Sequence, residues 1–129
     1  MSKNALIITD GTKTIQSIAG LISGELKGFK VKTCIAENFR GTDMLPSDIF
    51  FFGCENADPE SFSYLTEMLS HISLASRKCG VFTLKEKTLK YLLKIVKDCE
   101  ADVRELPLSG KTEVKASEIK KWVKYFIVD

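Results

Sequence analysis

Apolar positions follow two different spacings along this chain, and the change from one to the other predicts its elements. Short runs rich in β-branched and aromatic residues predict five strands, near residues 5–9, 30–35, 48–53, 79–83 and 102–108. The third run is continuously apolar, which is typical of a central strand that is covered on both faces. We therefore expect helices on both sides of one sheet.

Four helices are predicted where apolar residues recur every three or four positions. Their apolar faces are Ile15, Ile18, Ala19, Ile22 and Leu26; Phe62, Leu65, Leu69 and Ile72; Leu89, Leu92, Leu93 and Val96; and Ile119, Trp122, Val123 and Phe126. These faces must pack on the sheet. Trp122 is therefore interpreted as a core residue rather than as a platform for a ligand.

Local sequence also predicts where these helices begin and end. Asp58 followed by Pro59 is typical of an N-cap and a first helical position. Thr83 with Glu86 three residues later has the pattern of a capping box. The first helix is expected to end near Gly28, since glycine favours the turn after a helix.

Alternating strands and helices predict one α/β domain over residues 1–129. Only residues 36–47 separate the second strand from the third, and Gly41 and Pro46 interrupt them, so a full helix is not expected there. Right-handed crossovers and short connections favour a three-layer, doubly wound sheet of five parallel strands in the order 2-1-3-4-5.

Composition and charge narrow the class of protein. The chain has 129 residues, 44% of them apolar and 28% charged, which is enough for a core of its own. The net charge is +2, and lysines recur at helical intervals beside Glu and Asp, which favours solvated helix faces over nucleic-acid or membrane binding. Without a signal peptide or a run of transmembrane length, a cytoplasmic protein is expected, and we expect a monomer.

The cysteines and the single histidine form no recognisable metal or catalytic pattern. Cys34, Cys54, Cys79 and Cys99 lie at least 20 residues apart without a C-x-x-C pair, so we expect reduced, mostly buried thiols. His71 lies in a predicted helix with no second ligand type nearby. We therefore predict no metal site and a protein that is not an enzyme.

Three loops are expected to meet at the carboxyl ends of the strands, where sheets of this order bind ligands. The candidate binding residues are Thr9, Asp10, Gly11, Thr12, Lys13 and Thr14 in the first loop, Cys54, Glu55, Asn56 and Ala57 in the second, and Thr83, Leu84 and Lys85 in the third. A strand that turns into a helix leaves the first helical N–H groups free to bind an anion. The first loop suits a phosphate monoester, although the same residues are also typical of an ordinary turn followed by an N-cap.

On these loops the chain resembles the flavodoxin family over nearly its full length. The first loop, TDGTKT, resembles the family's phosphate loop, Thr/Ser-x-Thr-Gly-x-Thr: Thr9 and Thr14 match it, and Gly11 and Thr12 stand in the opposite order. FFFGCENA resembles the family's third strand and the loop beside the flavin. ELPLSGK and ASEIKKWVKYF resemble its fifth strand and closing helix.

The resemblance implies a flavodoxin-like fold that binds FMN and transfers electrons to redox partner proteins. The phosphate would lie on Thr9, Thr12, Lys13, Thr14 and the amides of the first loop. The flavin ring would lie against the second and third loops.

The chain departs from the family in features that govern flavin affinity. Flavodoxins usually hold the flavin between aromatic rings, but residues 54–58 and 83–88 contain none, and Tyr91 lies only in the next helix. The third loop is short, and Asp10 offsets part of the charge of Lys13. The family is strongly acidic, whereas this chain is faintly basic. Weak FMN binding is therefore expected.

Other functions stay open at this point. A flavodoxin-like fold without flavin could serve as an interaction or regulatory module that still binds an anion at the first loop. Asp10 and Thr83 are placed like the acidic residue and the hydroxyl of a phosphoacceptor receiver, but no acceptor aspartate follows the third strand. A hydrolase or reductase using Cys54 would lack a His or Arg partner.

Overall fold

A computed structural model describes residues 3–44, 46–107 and 114–127 of the chain. Its five strands are β1 (Lys3–Thr9), β2 (Phe29–Ile35), β3 (Ile49–Gly53), β4 (Lys78–Phe82) and β5 (Asp102–Glu105). They form one parallel sheet in the order β2-β1-β3-β4-β5. The predicted topology is confirmed. The predicted end of the fifth strand is wrong, since β5 ends at Glu105 and residues 106 and 107 lie outside it, while Leu108 is not among the described residues.

Four helices cover the two faces of the sheet. They are α1 (Lys13–Glu25), α2 (Ser63–His71), α3 (Glu86–Val96) and α4 (Ala116–Ile127). The apolar faces of α1 and α4 share one core, and those of α2 and α3 share the other. None of the described helices is long and apolar enough to cross a bilayer. Two short 3-10 turns, Ala36–Asn38 and Gly41–Asp43, lie between β2 and β3, so the expected absence of a full helix there is confirmed.

The central strand β3 supplies side chains to both cores because successive residues of a strand point to opposite faces. Phe50 and Phe52 lie in the core under α2 and α3, and Phe51 lies in the core under α1 and α4. Phe51 packs edge-on against Trp122 and Phe126, with ring centroids 5.6 and 4.8 Å apart. The interpretation of Trp122 as a core residue is confirmed, since its exposed fraction is only 8%.

The predicted start of the second helix is wrong. Asp58 has a left-handed backbone with φ of 51°, and Pro59 is extended. A 3-10 turn follows at Glu60–Phe62, and α2 begins only at Ser63. The reason is that the chain must first bring Phe62 into the core, where it is fully buried, before the helix can continue.

The predicted capping box of the third helix is also wrong. Lys85 is the N-cap of α3, and no side chain caps that helix. The Thr83 hydroxyl is instead buried at the end of β4, where it accepts the N–H of Lys85 at 3.4 Å. The first helix ends at Glu25, earlier than expected, and Gly28, with φ of 84°, turns the chain into β2.

Candidate functional site

Hydrogen bonds join the three predicted loops at the carboxyl edge of the sheet. Asp10 Oδ2 accepts the backbone N–H of Glu55 at 2.8 Å, which connects the first loop to the second. Lys85 Nζ donates to Asn56 Oδ1 at 2.6 Å, and Thr88 Oγ1 donates to the carbonyl of Glu55 at 3.0 Å. The structure therefore brings the three groups of candidate residues together. Thr88 was not a candidate, since no local pattern signals a hydroxyl that reaches back from a helix to a loop.

The first loop owes its shape to a glycine in the left-handed region. Gly11 has φ of 82°, a conformation that L side chains rarely adopt, and an added Cβ would also lie 3.4 Å from Ile35. The buried hydroxyl of Thr9 accepts the N–H of Gly11 at 3.2 Å. The left-handed backbone thus gives a structural reason for the glycine at position 11.

The first amides of α1 precede the first backbone hydrogen bond of the helix. The first backbone hydrogen bond of the helix runs from the N–H of Gln16 to the carbonyl of Thr12 at 2.9 Å. Within the described part of the chain, the N–H groups of Lys13, Thr14 and Ile15 meet no acceptor. Ile15 is fully buried, whereas Lys13 is exposed and Thr14 is half-buried. Because the helix dipole adds positive charge at the same end, the amides of Lys13 and Thr14 form the candidate anion site. The exposed Lys13 side chain stands beside them.

The Asp10 carboxylate engages a fourth donor of this turn. Asp10 Oδ1 accepts the N–H of Thr12 at 3.1 Å and its hydroxyl at 2.7 Å. Thr12 therefore gives no side-chain cap to α1, although it holds the N-cap position. Both donors of Thr12 are thus used within the protein. The candidate anion site therefore has fewer free donors than the sequence predicts.

A cavity of about 450 Å³ lies between α1 and the third loop. It is lined by Lys13, Thr14, Ser17, Ile18, Leu21, Leu84 and Val114. Three of these were candidate residues, and Ser17 could have been added because it stands one helical turn after Lys13. Val114 could not have been found, since it reaches the cavity from beyond β5 and no motif marks it.

The second loop contains Cys54, a cysteine with an unreactive thiol. Burial, with a smaller effect of the Asp10 carboxylate, raises the pKa of the Cys54 thiol to about 12. The thiol is therefore protonated near neutral pH and is a poor nucleophile. Beside it, Glu55 and Ala57 are half-buried and Asn56 is exposed.

The third loop offers backbone and aliphatic surface rather than an aromatic ring. Thr83 is buried, Leu84 is half-buried and Lys85 is exposed. Tyr91 lies farther along α3, where its hydroxyl is 3.4 Å from that of Thr66. Burial raises the pKa of Tyr91. Its hydroxyl thus lies between α2 and α3.

Metal coordination finds no support in the described ranges. They contain no group of three or more His, Cys, Asp or Glu residues that could hold a metal ion. His71 is exposed at the end of α2. Cys34 is half-buried, and the other three cysteines are buried free thiols, as expected.

Comparisons with known proteins agree on the architecture. No protein-family model matches the chain, and no curated protein sequence does. A Streptococcus pneumonia TIGR4 flavodoxin matches with a TM-score of 0.75 at 14% identity, over 97% of this chain and 94% of that chain. Oxidised Flavodoxin 2 from Bacillus cereus matches with a TM-score of 0.74 at 18% identity, over 97% of both chains.

A further match is a Fusobacterium nucleatum flavodoxin bound to flavin mononucleotide, with a TM-score of 0.73 at 15% identity, over 97% of this chain and 96% of that chain. Sequence identities this low support a shared fold but do not show that the same ligand is bound. The chain thus has the flavodoxin-like fold: an α/β architecture of five parallel strands in the order 2-1-3-4-5, between two layers of helices.

Proposed function

We propose that this protein binds FMN weakly at the carboxyl edge of the sheet and serves as an electron carrier rather than as an enzyme. The observation that carries the proposal is the pair of unpaired amides at Lys13 and Thr14, which lie beside a cavity that can admit part of a ligand. The likeness to flavodoxins supports it, since two of the matching structures hold flavin mononucleotide.

The phosphate end of FMN fits the residues present. A dianionic phosphate monoester needs several donors and positive charge, and the first turn of α1 supplies the amides of Lys13 and Thr14, the Thr14 hydroxyl and the Lys13 ammonium. Gly11 lets the backbone turn tightly before the helix. Charge-assisted hydrogen bonds of this kind are stronger than those between neutral groups, so the phosphate supplies most of the affinity.

The ring end of FMN fits less well, which is why weak binding is proposed. Cys54, Ala57 and Leu84 offer apolar contact, but the second and third loops contain no aromatic side chain. Each missing stacking partner removes on the order of 1 kcal/mol beyond the apolar area that it would bury. We therefore expect a dissociation constant of about 1–100 μM.

The residues of this chain hold the cofactor and set its surroundings. When bound, FMN supplies the ring that accepts and donates electrons. The chain contributes backbone N–H and C=O groups of the second and third loops, together with the half-buried Glu55 side chain. These groups tune how readily the ring takes up electrons, because nearby negative charge disfavours its reduced, more negative form.

A titration of FMN with purified protein tests the proposal. Binding should quench the flavin fluorescence and shift its visible absorbance. Riboflavin, which lacks the phosphate, is the matched control and should bind more weakly because it cannot use the amides of α1. Unchanged FMN spectra up to about 100 μM protein would overturn the proposal. Equal affinity for riboflavin and FMN would overturn the assignment of the phosphate to α1.

A second candidate function is a flavin-free interaction or regulatory module that binds only a small anion. The observation in its favour is the Asp10 carboxylate, which already engages Thr12 and Glu55 at the edge where a cofactor would lie. Inorganic phosphate separates the two candidates. Amide NMR shifts at Lys13 and Thr14 with phosphate, but no response to flavin, would favour the module.

A further inference from the structure

The surface between α2 and α3 contains a groove of about 560 Å³, which we call the lysine groove. Its α3 wall presents lysine ammonium groups around the half-buried Tyr91, and its α2 wall presents hydroxyls. The residues of these two walls are Lys87, Lys90, Tyr91 and Lys94 on α3, and Thr66 and Ser70 on α2. The Ser70 hydroxyl already donates to the carbonyl of Glu67 at 2.7 Å, and the Thr66 hydroxyl lies 3.4 Å from that of Tyr91. The lysine ammonium groups are therefore the donors that the groove offers to a ligand rich in oxygen acceptors.

The three lysines form one stripe because of their spacing. Lys87, Lys90 and Lys94 are three and four residues apart, so they stand on the same side of α3. The helix rises about 1.5 Å per residue, so the stripe is about 10 Å long. Leu92 and Val96 face the core on the opposite side. Residues 85–97 contain five lysines and one glutamate, so the stripe belongs to a locally basic surface.

These lysines find no acceptor within the part of the chain that the structure describes. Lys87, Lys90 and Lys94 are exposed and form no hydrogen bond or ion pair with the described residues. Lys32, by contrast, pairs with Asp43 at 2.7 Å. Like charges at helical spacing repel one another, and a bound anionic group would relieve that repulsion.

The two ends of the groove limit the kind of anion that fits. Asp58 lies near the start of α3 and Asp98 lies just past its end, and both line the groove. A continuous phosphate backbone that follows the stripe would meet a carboxylate at each end. A short acidic segment fits between them. The whole chain carries a net charge of only +2, so general attraction for long polyanions is small.

We propose that the lysine groove binds a short segment of a partner protein that is rich in Asp and Glu. The groove opens at Ala57 and Asp58, which belong to the second loop. An acidic segment seated there lies next to the carboxyl edge of the sheet. The identity of the partner rests on the proposed function: if the protein carries FMN, the partner is an acidic redox protein that docks beside the flavin.

Titration of the flavin-free, isotope-labelled protein with a hexaglutamate peptide tests the groove by NMR, independently of flavin binding. Amide shifts should concentrate on α3 and the facing side of α2 at low ionic strength and should fade with added salt. The triple variant Lys87→Gln, Lys90→Gln, Lys94→Gln should lose about tenfold in affinity, since each exposed charge pair contributes modestly. Glutamine keeps the helix propensity, so the fold should persist.

The matched control is Lys120→Gln, Lys121→Gln, Lys124→Gln, which removes the same charge from exposed positions on α4, across the sheet. Its affinity for hexaglutamate should change less than about twofold. Circular dichroism and the dispersion of the amide spectrum verify that both variants fold. Equal losses in the two variants, no shifts on α3, or tighter binding of a ten-nucleotide oligothymidylate than of hexaglutamate would each overturn the proposal.

Discussion

The Asp10 carboxylate accepts the backbone N–H of Glu55 at 2.8 Å, and this contact ties the first loop of the sheet to the second. The other oxygen of the same carboxylate accepts the N–H and the hydroxyl of Thr12. A negative charge of the protein therefore uses donors that would otherwise face an external anion. Asp10 both stabilises the loops and competes with a phosphate at this edge.

Replacing Asp10 with Ala should strengthen phosphate binding and weaken the fold. Affinity for FMN or inorganic phosphate should rise about tenfold, because the Thr12 amide becomes available and a repelling charge is removed. The free energy of unfolding should fall by about 1–3 kcal/mol, since the Glu55 N–H loses its acceptor. Calorimetric titration and urea unfolding measure the two effects.

The matched control for this prediction is Glu25→Gln, which removes the same charge from the last turn of α1, away from the loop. Its anion affinity should change little, because salt screens the interaction over that distance. If Asp10→Ala left the affinity unchanged or lowered it, Asp10 would serve only to shape the loop. The amides at the start of α1 would then depend on Asp10 for their position, and Asp10 would not compete with the anion.

The architecture could be predicted because it depends on patterns that repeat along the chain. The run Ile49–Gly53 is buried at every position, as a central strand must be. Ile15, Ile18 and Ile22 recur at helical spacing and are buried together. In such segments many residues show the same hydrophobic period, so the type of secondary structure does not depend on any single contact.

The details of the site could not be predicted because they depend on contacts between distant residues. The Asp10 carboxylate accepts a hydrogen bond from an amide that lies 45 residues farther along the chain. The helix starts expected at Asp58 and Thr83 failed for the same reason, since burial of Phe62 and Thr83 outweighed local capping preferences. A cap contributes only about 1 kcal/mol, which such packing easily exceeds.

Replacing Thr14 with Ala should weaken FMN binding by about 1 kcal/mol through the loss of one hydroxyl donor to the phosphate. Thr14 stands at the second position of α1, so the fold should be almost unaffected. Fluorescence titration measures the change. Ser23→Ala is the matched control, because it removes a hydroxyl from the same helix without touching the cavity, so the FMN affinity should not change. An unchanged affinity in Thr14→Ala would contradict the assigned phosphate position.

Replacing Gly53 with Ala should destabilise the protein by about 1–3 kcal/mol, because the added Cβ would overlap the fully buried Phe82 ring. Urea unfolding followed by the fluorescence of Trp122 measures the loss. Gly20→Ala is the matched control: nothing lies within 4 Å of a Cβ added there, so helix propensity should give a gain of about 0.5–1 kcal/mol. Equal stability of the two variants would contradict the close approach of β3 to Phe82.

The four cysteines should differ in their reactivity toward a water-soluble disulfide reagent. Cys34 is half-buried in the edge strand β2 and should react first at about pH 8. Cys54, Cys79 and Cys99 are buried, so the reagent should reach them only after unfolding. Burial raises the pKa of all four thiols, so the access of the reagent sets the order of reaction. Mass spectrometry of the partly labelled protein identifies the order. A fast reaction at Cys54 would contradict its burial.

The raised pKa of Cys54 also predicts a loss of stability in alkaline solution. Its pKa is about 12 in the folded protein, against an ordinary value of 9.0, so the unfolded chain releases this proton first as the pH rises. The stabilising effect is complete below pH 9 and is lost as the pH approaches 12. Unfolding free energies at about pH 8 and about pH 10.5 should therefore differ less in Cys54→Ala than in the wild type. The alanine variant is less stable at both values because it leaves a cavity, but only the difference between the two pH values reports the thiol. An identical pH dependence in the two proteins would show that Cys54 titrates alike in the folded and unfolded states.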